Sequence, residues 1–471
     1  MLDPYIEAWQ LRELILRKEV RPREVAEFFL RRIEKLNPSL GAYITVTAER
    51  AMADAARLEK TDAAEAAAMP LFGVPYSIKD LTWTRNIRTT FGSRAFANFV
   101  PTVDAEVVTR CDRAGGILLG KTATPAFGSR STTEGGFCPP ARNPWDRERT
   151  AGGSSGGAGC QVAAGMGPLA EGTDGGGSIR IPAACCGVVG LKPSRGRISY
   201  APVYGESWAG CATIGPLARS VRDAVLLLEV MAGPVMGDPY WIPPPKRRFS
   251  AALAVRPRGL RLGAISETVL SSIEPETAAA FDSACELFRE LGHRVDPIEI
   301  DLSRLLESFQ IVAVCSIAGY QVDNLELLDP DTRGIFEAAR RTTAPEYIRA
   351  VSAMHNVARQ IVQELAPYDA ILAPTLTRPA VRLGTMPNPE RPLVADLSGR
   401  NVPEVYTWLA FTYPFNATGQ PAFSLPNGFT KTGLPIGLQI VGRRNDEFGI
   451  IALAAAFEEA RPWKDQRPPI G

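Results

Sequence analysis

The sequence predicts an α/β fold: a large, mixed, mostly parallel twisted sheet covered by helices on both faces. Three observations predict it. From residue 73 onward, short apolar runs alternate with stretches of helical period, the pattern of strands and their covering helices. Runs such as Ile117-Leu118-Leu119 are apolar throughout, as in a strand buried on both faces. The 471 residues, 45% hydrophobic and 22% charged, suffice to bury a sizeable core.

The elements follow in order. Glu7 to Lys18 and Pro22 to Leu36 place apolar residues at helical spacing, with Pro22 suited to a first helical turn and Asn37-Pro38 as the stop. Ala48 to Lys60 reads as a third helix, and Ala63 to Ala68 as a helix end or surface connection. Gly73 to Lys79 reads as a strand ending on a lysine. Asp104 to Ala114 is an amphipathic helix closed by Gly115-Gly116, and Ile117 to Leu119 a buried strand. Ser220 to Met231 is a helix opened by a capping box, Ser220-x-x-Asp223. Beyond a Pro/Arg-rich connection at 240–250, strands are expected at Leu260–Ile265, Arg294–Ile300, Asp369–Ala373, Ala422–Leu425 and Ile436–Val441. Helices are expected near Pro275–Leu291, through most of 301–366, and at Asp446–Glu459. The chain is read as one domain, 1–471: a helical N-terminal part (1–70), a motif core (71–232) and a variable, helical substrate-cap segment (301–410).

Lys plus Arg (52) nearly cancels Asp plus Glu (51), which argues against nucleic acid or an acidic membrane as partner. No apolar run reaches membrane-span length. The first residues carry Asp3 and Glu7 and lack a signal-peptide pattern, so a cytoplasmic location is expected. The eight cysteines form no C-x-x-C pair, and no zinc spacing exists. There are two histidines, His293 and His355, so any serine–histidine pair must draw on one of them.

Chemistry concentrates between Gly152 and Arg180. Glycine at this density implies close backbone approach, and successive N–H groups there can form an anion-binding concavity, in a hydrolase an oxyanion hole. Gly115-x4-Gly120-Lys121-Thr122 matches a phosphate-loop pattern, but its would-be loop is an apolar strand and no helix follows. Gly153-Ser154-Ser155-Gly156-Gly157 matches a nucleophile elbow, but what precedes it is polar and loop-like, and neither histidine has a catalytic context. A lysine can replace histidine if burial or cationic neighbours lower its pKa by roughly three units. Lys79, ending an apolar strand, is such a candidate.

Several segments together resemble the amidase signature family: Gly73-Val74-Pro75-x-x-Ile78-Lys79-Asp80, Gly120-Lys121-Thr122, Gly152-Gly153-Ser154-Ser155-Gly156-Gly157, Gly172-Thr173-Asp174-x-Gly176-Gly177-Ser178-Ile179-Arg180, and Gly419-Gln420-Pro421-Ala422. The spacings, 75 residues from Lys79 to Ser154 and 24 from Ser154 to Ser178, fit as well. The resemblance spans about residues 5 to 465. It implies the amidase-signature fold and a Ser–cis-Ser–Lys triad: Ser178 as nucleophile, Ser154 as bridge after a cis peptide, Lys79 as base. It also implies an oxyanion hole from the backbone N–H groups of Gly175, Gly176, Gly177 and Ser178, support from Ser155 and Gly128, and structural roles for Asp174 and Arg180. No metal or organic cofactor is implied.

Two departures stand out. Residue 175 is glycine where a side chain is common, and Ile181 stands where the ammonia-producing subunit of tRNA-dependent amidotransferases usually has glutamine. The pattern looks closest to broad amidases, including aminohexanoate-oligomer and aryl acylamide hydrolases. The expected substrate is therefore an aryl or aliphatic amide, with carbamate or glutamine hydrolysis as the alternatives, in a monomer or homodimer. Phe127, Phe137, Tyr204, Trp208, Cys315, Tyr406 and Trp408 are the expected pocket candidates.

Overall fold

Eleven strands form one sheet in the computed structural model, which describes residues 2–386 and 393–470. In chain order they are β1 (Tyr43–Val46), β2 (Pro75–Lys79), β3 (Ile117–Thr122), β4 (Leu169–Asp174), β5 (Val189–Lys192), β6 (Thr213–Ala218), β7 (Arg261–Ala264), β8 (Arg294–Pro297), β9 (Ala370–Pro374), β10 (Ala422–Phe429) and β11 (Pro435–Gly442). Across the sheet the order is β1-β3-β2-β4-β6-β5-β10-β11-β9-β7-β8. Strands from both sides of the 240–250 connection thus share one sheet. Residues 387–392, inside the expected substrate-cap segment, lie outside the described residues.

The sheet is mixed, as expected, but not mostly parallel. Parallel pairing is confined to β3-β2-β4 and β9-β7-β8, and the remaining six neighbour pairs are antiparallel. Parallel neighbours need a crossover, usually helical, whereas an antiparallel pair can close through a short turn. β10 and β11 do so around Gly433, whose φ is 83°. β4, β5 and β6 fall in glycine-rich sequence where strand patterning is weak, and they supply much of the antiparallel centre.

Side chains alternate between two apolar layers, as strand geometry requires. Ile117 and Leu119 join one layer and Leu118 the other, and Ile371 and Ala373 oppose Ala370 and Leu372. The first layer is closed by the helices Pro22–Leu40 and Ala344–Leu365, the second by Val221–Met231, Pro275–Glu290 and Glu447–Ala460. No described helix is long and apolar enough to cross a membrane.

Two local expectations are corrected. The second helix runs through Asn37-Pro38 to Leu40 and ends at Gly41, which adopts φ 64° and donates its N–H to Asn37 O. A proline in the last turn forfeits only one helical hydrogen bond, and the left-handed glycine is the true stop. The capping box at Ser220 is half formed. Ser220 Oγ accepts the Asp223 N–H, but the Asp223 carboxylate turns away to accept the N–H groups of Ala8 and Trp9 (2.7 and 3.2 Å), anchoring the first helix.

Candidate functional site

Lys79 is the last residue of β2, buried on every side. Its Nζ lies 2.7 Å from Ser154 Oγ and donates to Thr173 Oγ1 at 2.8 Å. Burial, only partly opposed by the negative charges of Glu171 and Asp174, lowers its pKa to about 7. Glu171, on β4, accepts the Lys79 backbone N–H (2.8 Å) and the Thr82 hydroxyl (2.9 Å), fixing the strand end from which the amine projects. Burial raises the pKa of this carboxyl in turn.

Ser154 follows a cis peptide with Gly153. Ser155 precedes the helix Gly156–Ala163 but does not cap it with its side chain. Its hydroxyl instead bonds the N–H and carbonyl of Thr173 (3.3 and 3.2 Å), while its N–H donates to Ser178 O. Ser155 therefore ties the Ser154 segment to the Ser178 loop. Gly128 borders the same cavity, and a Cβ there would lie 3.1 Å from Ser154 Oγ.

The loop from Gly175 to Ser178 is shaped by the buried Asp174 carboxylate. Asp174 accepts the N–H of Gly177 (2.7 Å) and of Ile179 (3.2 Å), and pairs with Arg180 (2.9 Å). Gly177 has φ 130°, and a Cβ on it would meet Thr412 Oγ1 at 2.4 Å, so no other residue fits. Its place in the expected oxyanion hole is corrected, because its N–H is spent on Asp174. Among the described residues the N–H groups of Gly175, Gly176 and Ser178 have no protein acceptor. Ser178 Oγ likewise has no hydrogen-bond partner there, and Ser178 faces the cavity beside Ser154.

The cavity encloses about 70 Å³. Its walls include Leu81, Trp83, Phe127, Tyr200, Tyr204, Trp208 and Tyr320, and among the described residues no charged side chain lines it. Of the expected pocket residues, Phe127, Tyr204 and Trp208 are present. Phe137 borders a separate surface depression, Tyr406 packs against Phe309 and Tyr413, and Trp408 is buried with its indole N–H on Arg378 O. Cys315 is half-buried on the helix Leu306–Ile317, away from the cavity. Sequence reasoning missed Trp83, Tyr320 and the Lys79 anchor Thr173. Thr173 lies within the Gly172-Thr173-Asp174 motif, and Trp83 lies four residues past the lysine; Tyr320 has no local signal.

Neither histidine approaches this cavity: His293 packs on Phe288, and His355 Nε2 lies 3.2 Å from Ala209 O. The lysine of the phosphate-loop pattern, Lys121, is buried on β3 and holds Thr84 Oγ1 (2.9 Å), Thr89 Oγ1 (3.1 Å) and the Thr82 carbonyl. It clamps the chain that leaves Lys79.

The chain is similar to known proteins in sequence and in fold. The Amidase family model matches residues 24–451. The acylamidase of Rhodococcus erythropolis is 36% identical over 98% of this chain and 97% of its own length. A glutamyl-tRNA(Gln) amidotransferase subunit of Moorella thermoacetica is 34% identical over 99% of each chain. The solved structure of 6-aminohexanoate cyclic dimer hydrolase complexed with substrate is similar with a TM-score of 0.91 at 32% identity, covering 99% of each chain. This chain belongs to the amidase signature family and is a hydrolase of amide carbon–nitrogen bonds.

Proposed function

We propose that the chain hydrolyses small, uncharged aryl or aliphatic amides through an acyl-enzyme on Ser178. The observation that carries this reading is the buried Lys79 amine, wedged between Ser154 and Thr173 at the floor of an uncharged aromatic cavity. Ser178 Oγ attacks the carbonyl carbon, its proton passing to Ser154 Oγ as Ser154 gives its own to Lys79 Nζ. The tetrahedral oxyanion is met by the unused N–H groups of Gly175, Gly176 and Ser178. The relay reverses to protonate the departing amine, and water then releases the acyl group by the same path.

The lining argues against glutamine as substrate. A free amino acid would bring an ammonium and a carboxylate into a cavity with no counter-charge, a desolvation cost of several kcal/mol. Assaying anilides, aliphatic amides, carbamates and glutamine side by side tests the assignment. Glutaminase activity as the main activity would overturn it.

Lys79 acts as a base only when neutral. With its pKa at about 7, kcat/KM is expected to be level above pH 8 and to fall about tenfold per unit below pH 7. A profile that stays flat to pH 5 would remove Lys79 from the role.

Thr173→Val keeps the side-chain shape and deletes the second anchor of Lys79. Losing one hydrogen bond to a group that becomes charged during catalysis should lower kcat roughly 10- to 100-fold with KM little changed. An unchanged kcat would show that Ser154 alone positions the amine.

A further inference from the structure

Glycine at position 175 has a physical partner. A Cβ built on Gly175 would lie 2.9, 3.1 and 3.2 Å from Cε3, Cζ3 and Cδ2 of Trp208. Three consecutive ring carbons at nearly equal distance place that Cβ over the face of the six-membered ring. An approach to the ring edge would leave the two flanking carbons well beyond the nearest one. The indole therefore lies flat on the backbone that begins the oxyanion loop, and both residues line the cavity with Ser178.

The chain holds Trp208 there against its own preference. Trp208 (φ 56°) and Ala209 (φ 48°) are adjacent non-glycine residues in the left-handed region, which L-residues occupy together only where the surroundings enforce it. The enforcement is visible on several sides. The Glu206 carboxylate accepts the Gly210 N–H at 2.7 Å, and the Cys211 N–H closes onto Trp208 O at 2.9 Å. His355 Nε2 meets Ala209 O, so that nitrogen carries the proton, since a carbonyl only accepts. Asn416 Nδ2 donates both to Cys211 O (3.1 Å) and to the Asp174 carboxylate (2.9 Å). The turn carrying the indole and the loop carrying Ser178 thus hang on one amide group.

We infer that Trp208 is the specificity-determining residue of this site: with one face of its indole seated on Gly175, the other forms a flat wall that selects amides carrying a flat, conjugated substituent and excludes puckered or branched ones of equal size. The inference rests on the amide-hydrolase reading and narrows its substrate class. A rigid planar wall along one side of the cavity gives it the character of a slot rather than a bowl. Aromatic groups gain by stacking in a slot, whereas a chair-shaped ring meets the wall with its axial hydrogens.

The test uses two pairs matched in carbon count, benzamide against cyclohexanecarboxamide and acetanilide against N-cyclohexylacetamide. The flat-to-puckered ratio of kcat/KM is measured in the wild type, Trp208→Ala and Trp208→Leu, the last keeping apolar bulk without a flat face. Comparing ratios between enzymes cancels the intrinsic reactivity of each substrate. The ratio is expected to fall at least tenfold in both variants for the pair whose ring meets the wall. Ratios within twofold of wild type for both pairs would overturn the inference while leaving the hydrolase reading intact; no turnover of any amide by the wild type would overturn both. Gly175→Ala supplies the second arm. It should cost at least 100-fold in kcat/KM in the wild type but under threefold in the Trp208→Ala background, and an equal cost in the two backgrounds would refute the packing on which the inference stands.

Discussion

Lys79→Met is expected to lower kcat/KM by about 10⁴-fold while leaving the protein at least as stable as the wild type at pH 6. The catalytic half follows from the proposed relay. Methionine has no basic nitrogen, so Ser154 has nowhere to pass its proton, and Ser178 must attack as a neutral hydroxyl. Ser178→Ala should cost at least as much, and the double variant little more than either single one, because the residues act as a unit. The stability half follows from burial. The folded pKa of Lys79, about 7, lies below its unfolded value of about 10.4. Between these values the unfolded chain binds a proton that the folded chain does not, so stability rises with pH across this window, and the full penalty is present below pH 7. Methionine removes that penalty, and against it stand the hydrogen bonds lost by Ser154 and Thr173. The Tm difference between variant and wild type should shrink as pH is raised from 6 to 10, where the wild-type penalty fades. A Tm several degrees below wild type at pH 6 would make the lysine a structural residue first. A retained rate would dismiss it as the base.

What the sequence made legible divides by the range of the interactions involved. Lys79, Ser154 and Ser178 could be picked out because each sits in a short motif that resembles the amidase signature, and the structure brings Lys79 within 2.7 Å of Ser154 with Ser178 facing the same cavity. The outer helices and strands were legible through periodicity. The centre of the sheet was not, because β4, β5 and β6 carry glycine, threonine and charged residues where a strand signal needs branched apolar ones. Leu169–Asp174 reads as a strand only once β2 and β6 flank it. Gly177 illustrates the same limit within the site. Sequence places its N–H beside those of Gly176 and Ser178, and only the fold shows that the Asp174 carboxylate has already claimed it. The pocket walls were hardest. Tyr320 reaches the cavity from a connection more than 100 residues beyond Trp208, and no local pattern marks it.

Arg180→Met is expected to destabilise the protein by about 3–5 kcal/mol, the cost of leaving a buried charge without its partner. Arg180 and Asp174 are both fully buried, and every polar atom of the guanidinium is used. Nε and Nη2 hold Asp174 (3.0 and 2.9 Å), Nη2 also reaches Asn416 Oδ1 (2.6 Å), and Nη1 reaches Thr412 O (2.9 Å) and Gln439 Oε1 (2.6 Å). Burial pushes the Asp174 pKa up, but Arg180 and the hydrogen bonds around the carboxylate hold it well below the usual carboxylate range. A depressed folded pKa contributes stability that is present above the unfolded value of about 3.9 and is lost as pH falls through the folded one. Without Arg180 the balance reverses: burial dominates, the Asp174 pKa rises above its unfolded value, and the variant loses most where that carboxylate must stay charged. The Tm deficit of Arg180→Met should therefore be largest at pH 7, roughly 3–5 °C, and should narrow toward pH 4 as Asp174 takes up a proton. Adding Asp174→Asn should recover part of the loss at pH 7, since the stranded charge is then gone although the hydrogen bonds to Ile179 and Arg180 are not restored. Because the same carboxylate holds the Gly177 N–H and so shapes the loop carrying Ser178, each of these variants should lose turnover beyond what its stability predicts. A deficit independent of pH would mean that packing of the guanidinium, rather than its charge, holds the loop together.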